Sequence, residues 1–353
     1  MTTPVDQDVL GEFLAHAIGD LGATFSAGLV VLGDRLGLYR ELSKGPGTVE
    51  ELAARTGTAP AYLSPWLANQ AAGGYIGYDA ATGRYVMSPE QTLALADEDG
   101  PAFFPGGMQL ALAVLRDLPE IERRFRTGEG FGWHEHDPGL FEGTERFFRP
   151  GCAANLVHSW LPALDGMTER LTRGASVADV GCGHGTSTIL MAQAYPMSTF
   201  LGVDYHEGSV RWARRHAAEA GLSDRVAFET AGADELPGGG YDLITFFDCL
   251  HDVGDPVGAA RRAREALNPD GAVMIVEPLA GDSVADNLNP LGRVFYGVSV
   301  LVCTPCSLAQ AGAAALGPQA GPARIAAVLR EAGFGAVRIA AQAPANLVYE
   351  ARP

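Results

Sequence analysis

Three glycines at alternate positions, Gly181, Gly183 and Gly185, follow a short apolar run that carries one carboxylate, Ser176-Val177-Ala178-Asp179-Val180. Such a loop turns sharply and lets a ligand approach the backbone closely. Thr186 and Ser187 are expected to cap a helix beyond it, and free N–H groups at a helix start suit an anionic group. A second apolar run, Thr199 to Val203, ends at Asp204. A carboxylate at the tip of a second strand is placed to accept both hydroxyls of a ribose. The spacing is D-x-G-x-G-x-G rather than the dinucleotide pattern G-x-G-x-x-G, because Thr186 stands at the sixth position. Further along, Phe247-Asp248-Cys249-Leu250-His251-Asp252 sets an imidazole between two carboxylates.

These residues need a scaffold that brings them to one edge. From about Leu171 strand-like and helical runs alternate, which predicts an α/β, Rossmann-like doubly wound sheet. Strands are expected near Ser176–Val180, Thr199–Val203, Val226–Glu229, Tyr241–Phe247 and Ala272–Val276, with a last pair near Ala336–Ala340 and Ala345–Ala351. Helices such as Ser209–Ala220 and Pro256–Leu267 lie between them. Ligands in such sheets bind beyond the carboxyl ends of the strands. That rule collects the glycine loop, Asp204 with Tyr205 and His206, the loop Ala231-Gly232-Ala233-Asp234, and the 247–252 run.

The first half of the chain is helical. Phe13 to Gly37 has apolar residues at helical spacing, among them Phe25, Leu29, Val30, Leu32 and Leu36. Thr48 and Glu51 have capping-box spacing and start a helix ending near Gly57. Ala59–Ala72 follows as a helix, and the runs Tyr75–Tyr78 and Arg84–Met87 pair as a hairpin. Helix, helix and hairpin make a winged helix-turn-helix. The would-be recognition stretch Ala59 to Gln70 has no basic residue, so it lacks what DNA readers use on phosphates and guanine. Helical stretches at Ala102–Arg126 and Phe141–Leu164 lead into the sheet. The expected division is a mainly helical winged-helix domain over 1–165 and a sheet domain over 166–353.

A formal charge of −17 disfavours nucleic acid and anionic membranes as partners. Met1 to Asp8 is acidic and polar, unlike a secretory signal, and no apolar run is expected to span a membrane. A reduced, cytoplasmic setting follows for the five cysteines.

With Asp179, Gly181, Gly183, Gly185 and Asp204 in place, the chain resembles the class I S-adenosylmethionine-dependent methyltransferases. The run from Phe247 to Pro256 and Glu277-Pro278-Leu279-Ala280-Gly281-Asp282, behind a winged helix, resemble a bacterial small-molecule family of that class. The resemblance covers roughly Phe13 to Pro353. It implies S-adenosylmethionine as cofactor, held by Asp179, Gly181, Gly183, Gly185, Asp204, Tyr205, Asp234 and Phe247. Asp234 reads equally as an adenine contact and as a solvated loop acid. The Leu-His-Asp sequence after the fourth strand implies that His251 deprotonates the acceptor, oriented by Asp248 or Asp252. An imidazole has an ordinary pKa of about 6.5, suited to that task. The other reading of His251 is a helix cap or a partner for a buried carbonyl. Val253 stands where the plant enzymes of this class have tryptophan, so their mechanism does not transfer directly.

The resemblance implies methylation of a small acceptor, at O or N with C left open, in specialised metabolism, by a homodimer joined through the N-terminal domain. The rival is a winged-helix DNA-binding regulator with S-adenosylmethionine as effector. Trp133 and His136 are candidates for a substrate pocket, as are Asn287, Arg293 and Tyr296 in the long segment from Glu277 to Gly321. Ala311–Gly321, nearly all Ala, Gly and Pro, is expected to be mobile. Cys303-Thr-Pro-Cys306 has the C-x-x-C spacing of a redox pair or half a zinc site, but no second pair completes a four-cysteine site, and it reads as an ordinary loop with no metal.

Overall fold

The computed structural model describes residues 5–353; the start of the Met1–Asp8 stretch lies outside the described residues. The chain forms two compact units. One gathers the residues up to Leu112 with Glu142–Pro150, and the other gathers Ala113–Phe141 with Gly151–Pro353. Residues 113–141 and 151–165, which the sequence groups with the first domain, therefore pack with the sheet.

In the first unit Gln7–Arg35 is one continuous helix, started by Asp6, whose side chain accepts from the N–H groups of Asp8 and Val9. The capping box of Thr48 and Glu51 starts Val49–Thr56, and Pro60–Ala72 follows. Strands β1 (Gly77–Asp79) and β2 (Arg84–Val86) form the hairpin. Tyr39, Leu42, Leu52, Leu63, Trp66 and Leu67 close this core. The Trp66 ring packs so closely on the long helix that a Cβ at Gly33 would lie 2.3 Å from it. Only glycine permits that crossing.

The second unit is built on seven strands: β3 (Ser176–Val180), β4 (Thr199–Asp204), β5 (Val226–Thr230), β6 (Tyr241–Phe247), β7 (Leu267–Pro278), β8 (Ala336–Gln342) and β9 (Asn346–Arg352). Their order is β5-β4-β3-β6-β7-β9-β8. All neighbours run parallel until β7, after which β9 and β8 pair antiparallel. Side chains alternate between two cores. Along β7, Ala272, Met274 and Val276 face one and Val273 and Ile275 the other. Because both faces are covered, these strands read as unbroken apolar runs. The strand order reverses between β3 and β6, which opens a crevice at their carboxyl ends.

The segment after β7 corrects the sequence reading. Pro290–Val298 is helical, passes through a π-helical turn at Ser299–Cys303 and continues as Thr304–Leu308. Cys303 and Cys306 thus sit on helix, not in a loop. Ala311–Gly321 is tied down: Ala314 N–H donates to the Gly254 carbonyl at 2.9 Å, and Leu316 is buried. Gln7–Arg35 and Pro290–Leu308 are also long and apolar enough to cross a membrane by length and composition, against expectation. Only a minority of the residues in each is buried in the single chain.

Candidate active site

All three loop glycines have left-handed φ: 72° at Gly181, 53° at Gly183 and 83° at Gly185. Their surroundings differ. A Cβ at Gly181 would lie 2.7 Å from Cys249 Sγ, and one at Gly185 would lie 2.7 Å from the Phe228 ring and 2.9 Å from Ala213. A Cβ at Gly183 would meet nothing within 4 Å. Gly181 and Gly185 are therefore packing glycines, and Gly183 faces open space. Gly185 is the N-cap of the helix Thr186–Ala194 and supplies no side chain there, in place of the expected Thr186 and Ser187 caps. The Ser187 hydroxyl instead donates to Asp179 Oδ2 at 2.6 Å, as does that of Thr188; Thr245 Oγ1 donates to Asp179 Oδ1 at 2.8 Å. Asp179 is wholly buried, and burial raises its carboxyl above the ordinary range against these three bonds. It fastens the loop and helix to the sheet rather than facing the crevice.

Asp204 ends β4. Its Oδ2 accepts from the Gly183 N–H at 2.9 Å and its Oδ1 from the His206 N–H at 2.8 Å. Burial raises its carboxyl, and those two backbone bonds oppose the rise. Each oxygen keeps a lone pair for another donor. Tyr205 meets His134 edge-on with ring centroids 5.9 Å apart. Trp133 packs on Phe141, which packs on His206, so Trp133 belongs to the Asp204 corner. Phe247 ends β6 and lies near Trp160, centroids 6.3 Å apart. Asp234 is exposed in the turn Ala233–Glu235.

His251 lies in the 3-10 turn Leu250–Asp252 just after β6 and is 4% exposed. Its Nδ1 is hydrogen-bonded to Oε2 of Glu277, near the end of β7, and its Nε2 is 3.3 Å from Asp252 Oδ1. Burial alone lowers a histidine pKa, but the Glu277 and Asp252 carboxylates hold His251 well above its ordinary value. The carboxylate on Nδ1 is thus one that the sequence reading did not single out. Asp248 turns elsewhere. Its backbone is left-handed at φ 48°, and its carboxylate accepts from Asn346 Nδ2 at 3.0 and 3.2 Å. Burial and then the nearby Glu277 push it up to about 8. Cys249 accepts the role of a wedge, its Sγ donating to the Val180 carbonyl at 3.2 Å and filling the space over Gly181.

The remaining candidates scatter. His136 is buried, with Nδ1 2.8 Å from Asp117 Oδ2 and Nε2 3.8 Å from Cys306 Sγ. Asn287 is buried and spends its amide on backbone, taking the Gly281 N–H at 2.8 Å and donating to the carbonyls of Gly281 and Ser283. It closes a turn rather than reaching for a ligand. Arg293 is exposed and Tyr296 half-buried, three residues apart on the helix Pro290–Val298.

Residues 171–298 match the family model described as "Methyltransferase domain", and residues 24–97 match the one described as "Rv2258c-like winged HTH domain". The 27-O-demethylrifamycin SV methyltransferase of Amycolatopsis mediterranei is 29% identical over 150 residues, covering 40% of this chain and 55% of that protein. The chain thus spans little more than half the length of this curated relative. The mitomycin 7-O-methyltransferase structure superposes with a TM-score of 0.69 at 19% identity, covering 99% of this chain and 100% of that one. Human N-acetylserotonin methyltransferase, solved in complex with SAM, gives 0.68 at 18% identity, covering 100% and 99%. At such identities the likeness establishes the fold. The chain joins an Rv2258c-like winged helix-turn-helix domain to a methyltransferase domain of the class I fold.

Proposed function

We propose that this protein methylates a hydroxyl, or alternatively an amine, of a small acceptor, using S-adenosylmethionine. One observation carries the reading: the open Gly183 turn with Asp204 and the His251–Glu277 pair lie at the same carboxyl edge of one sheet, on either side of its topological switch. The residues fit the cofactor. Gly183 leaves room where any side chain would intrude, Asp204 has acceptor capacity left for ribose hydroxyls, and a helix start without a side-chain cap suits a carboxylate. Phe247 and Tyr205 flank this corner, and Asp234 remains the candidate for the adenine.

When bound, S-adenosylmethionine supplies an electrophilic methyl on a sulfonium. The chain aligns the acceptor and removes its proton. His251 Nε2 takes that proton when the ring is neutral, and the two carboxylates, which hold its pKa well above the ordinary value, move that state to higher pH. Glu277 fixes the ring through Nδ1 and stabilises the imidazolium that forms, and Asp252 faces the accepting nitrogen. Asp248, tied to Asn346, shapes the backbone from which His251 projects. In this reading the acceptor is a specialised metabolite; the relatives' names include both the 27-O-demethylrifamycin SV enzyme and ubiquinone biosynthesis O-methyltransferases.

The winged-helix domain serves assembly in this reading. Pro60–Ala72 has no basic residue for DNA. The helix Gln7–Arg35 exposes Phe13, Leu14, Ile18, Leu21 and Phe25, an apolar face suited to a second copy of the chain. A cytoplasmic, reducing setting for the five cysteines is part of this reading.

The test is calorimetric titration of S-adenosylmethionine and its demethylated product into wild type and Asp204→Ala, followed by labelled-methyl transfer to a panel of small phenols and amines. Saturable binding weakened by the substitution supports the reading. Absence of binding to wild type, or sequence-specific DNA binding in an anisotropy titration, overturns it.

A further inference from the structure

The C-x-x-C pair, His136 and the 251–252 pair lie apart in sequence, yet the fold brings Cys303 against His251 and Asp252, and Cys306 against His136. Donor atoms of His251, Asp252 and Cys303 all lie within 4.8 Å of one another. Cys306 follows Cys303 by three residues on continuous helix, and its Sγ is 3.8 Å from His136 Nε2. Both thiols are buried.

We infer that His251, Asp252 and Cys303, completed by Cys306, form a binding site for one zinc ion. Four features support it. First, the spacing suits a small tetrahedral ion. Zinc bonds of about 2.0 Å to nitrogen and about 2.3 Å to sulfur put neighbouring donors roughly 3.3–3.8 Å apart, and His251 Nε2 already lies 3.3 Å from Asp252 Oδ1. Second, the donors are imidazole, thiol and carboxylate. Soft sulfur with nitrogen selects zinc over magnesium or calcium.

Third, the histidines are held as metal ligands are held. Glu277 occupies Nδ1 of His251, and Asp117 occupies Nδ1 of His136. Each Nε2 therefore faces the cluster, in the carboxylate–histidine arrangement that orients ligands around zinc. His136 borders Cys306 and steers its sulfur. Fourth, Asp252 Oδ1 is buried and makes no hydrogen bond among the described residues beyond its 3.3 Å ion-pair approach to His251 Nε2. A buried carboxylate oxygen matched so loosely is costly, and a cation satisfies it.

The ion would take the lone pair on His251 Nε2. If His251 is the base proposed above, zinc then switches methyl transfer off. That consequence rests on the proposed function, whereas the binding site does not.

The experiment uses the full chain, freed of metal by chelator and titrated with Co2+, a coloured stand-in for zinc. The expected result is one equivalent bound with tetrahedral d–d absorption and a thiolate-to-cobalt charge-transfer band, both erased by one equivalent of Zn2+. Cys303→Ser and Cys306→Ser should each weaken that band and lower zinc affinity at least about tenfold. Cys152→Ser should leave both unchanged. Glu277→Gln, which keeps both thiols, should weaken zinc binding without removing the band. Circular dichroism confirms that each variant is folded. Absence of the thiolate band in folded wild type, or its survival in the Cys303→Ser/Cys306→Ser double variant, overturns the inference. Because the band is read with neither methyl donor nor acceptor present, its outcome is independent of whether the chain proves to be a methyltransferase.

Discussion

Glu277 and His251 are joined side chain to side chain across neighbouring strands, the carboxylate coming from near the end of β7 and the imidazole from the turn after β6. Both are buried, at 3% and 4% exposure. The pairing of Phe247 with Val276 brings the end of β6, from which the His251 turn departs, beside the Glu277 end of β7. The imidazole is thereby locked by Nδ1, which leaves Nε2 to exchange a proton.

Substitution should separate the two roles. His251→Ala is expected to lower kcat by about 10²–10⁴, the range for loss of a general base, with S-adenosylmethionine affinity within about twofold of wild type. Glu277→Gln keeps the hydrogen bond but not the charge and should lose less than His251→Ala. Steady-state kinetics with calorimetry decides. Unchanged turnover in His251→Ala at saturating substrate would remove the base assignment.

The loop glycines are expected to divide into two classes. Gly181→Ala and Gly185→Ala put a methyl against Cys249 and Phe228 as well as into left-handed backbone. Each should cost about 2–5 kcal/mol, combining about 1–2 for the backbone and 1–3 for overpacking. Gly183→Ala meets no neighbour, so it should cost only the backbone part, about 1–2 kcal/mol. Its larger effect should be on cofactor affinity. Chemical denaturation read beside calorimetry tests the split: equal stability losses at all three positions would contradict it.

The glycine loop, Asp204 and His251 were legible because each lies within one short stretch whose local pattern fixes its place at a strand end. The strands were legible for a related reason, since a sheet covered on both faces demands unbroken apolar runs. What pairs with what was not legible. Glu277 reaches His251 across 26 residues, Asn346 reaches Asp248 across 98, and Cys306 reaches His136 across 170. No local period carries such contacts. A lone carboxylate closing the apolar run Ala272–Val276 was the available signal for Glu277. The helix Pro290–Leu308 was hidden by Pro290, Gly292, Gly297 and Pro305. Pro290 and Pro305 stand in the first turn of their helical segments, where proline is tolerated, and a π-helical turn joins the two.

The exposed face of Gln7–Arg35 gives an expectation for assembly. Ile18 and Phe25 project from it at two turns' spacing, and both are exposed in the single chain. If a second copy covers that face, Ile18→Glu combined with Phe25→Glu should convert a dimer to a monomer in light scattering without lowering the melting temperature of the sheet unit. A monomeric wild type at micromolar concentration would count against this face as an interface.

His184 sits between Gly183 and Gly185, its ring stacked on Trp212 with centroids 5.8 Å apart. Burial, then the neighbouring His216 and His206, push its pKa down to about 4. The unfolded chain takes up a proton near pH 6.5, and the folded chain refuses it until about 4. Between those values the unfolded state binds more protons, so stability falls as pH falls across that window and is fully present above it. Because the ring is part of the glycine turn, protonation should also loosen the cofactor site. Wild type is therefore expected to lose melting temperature and S-adenosylmethionine affinity between about pH 6.5 and pH 4. His184→Gln, which keeps a polar side chain but cannot titrate, should flatten that part of both profiles. Parallel profiles for wild type and His184→Gln would show that the acid sensitivity arises elsewhere, for instance in the carboxylates around His251.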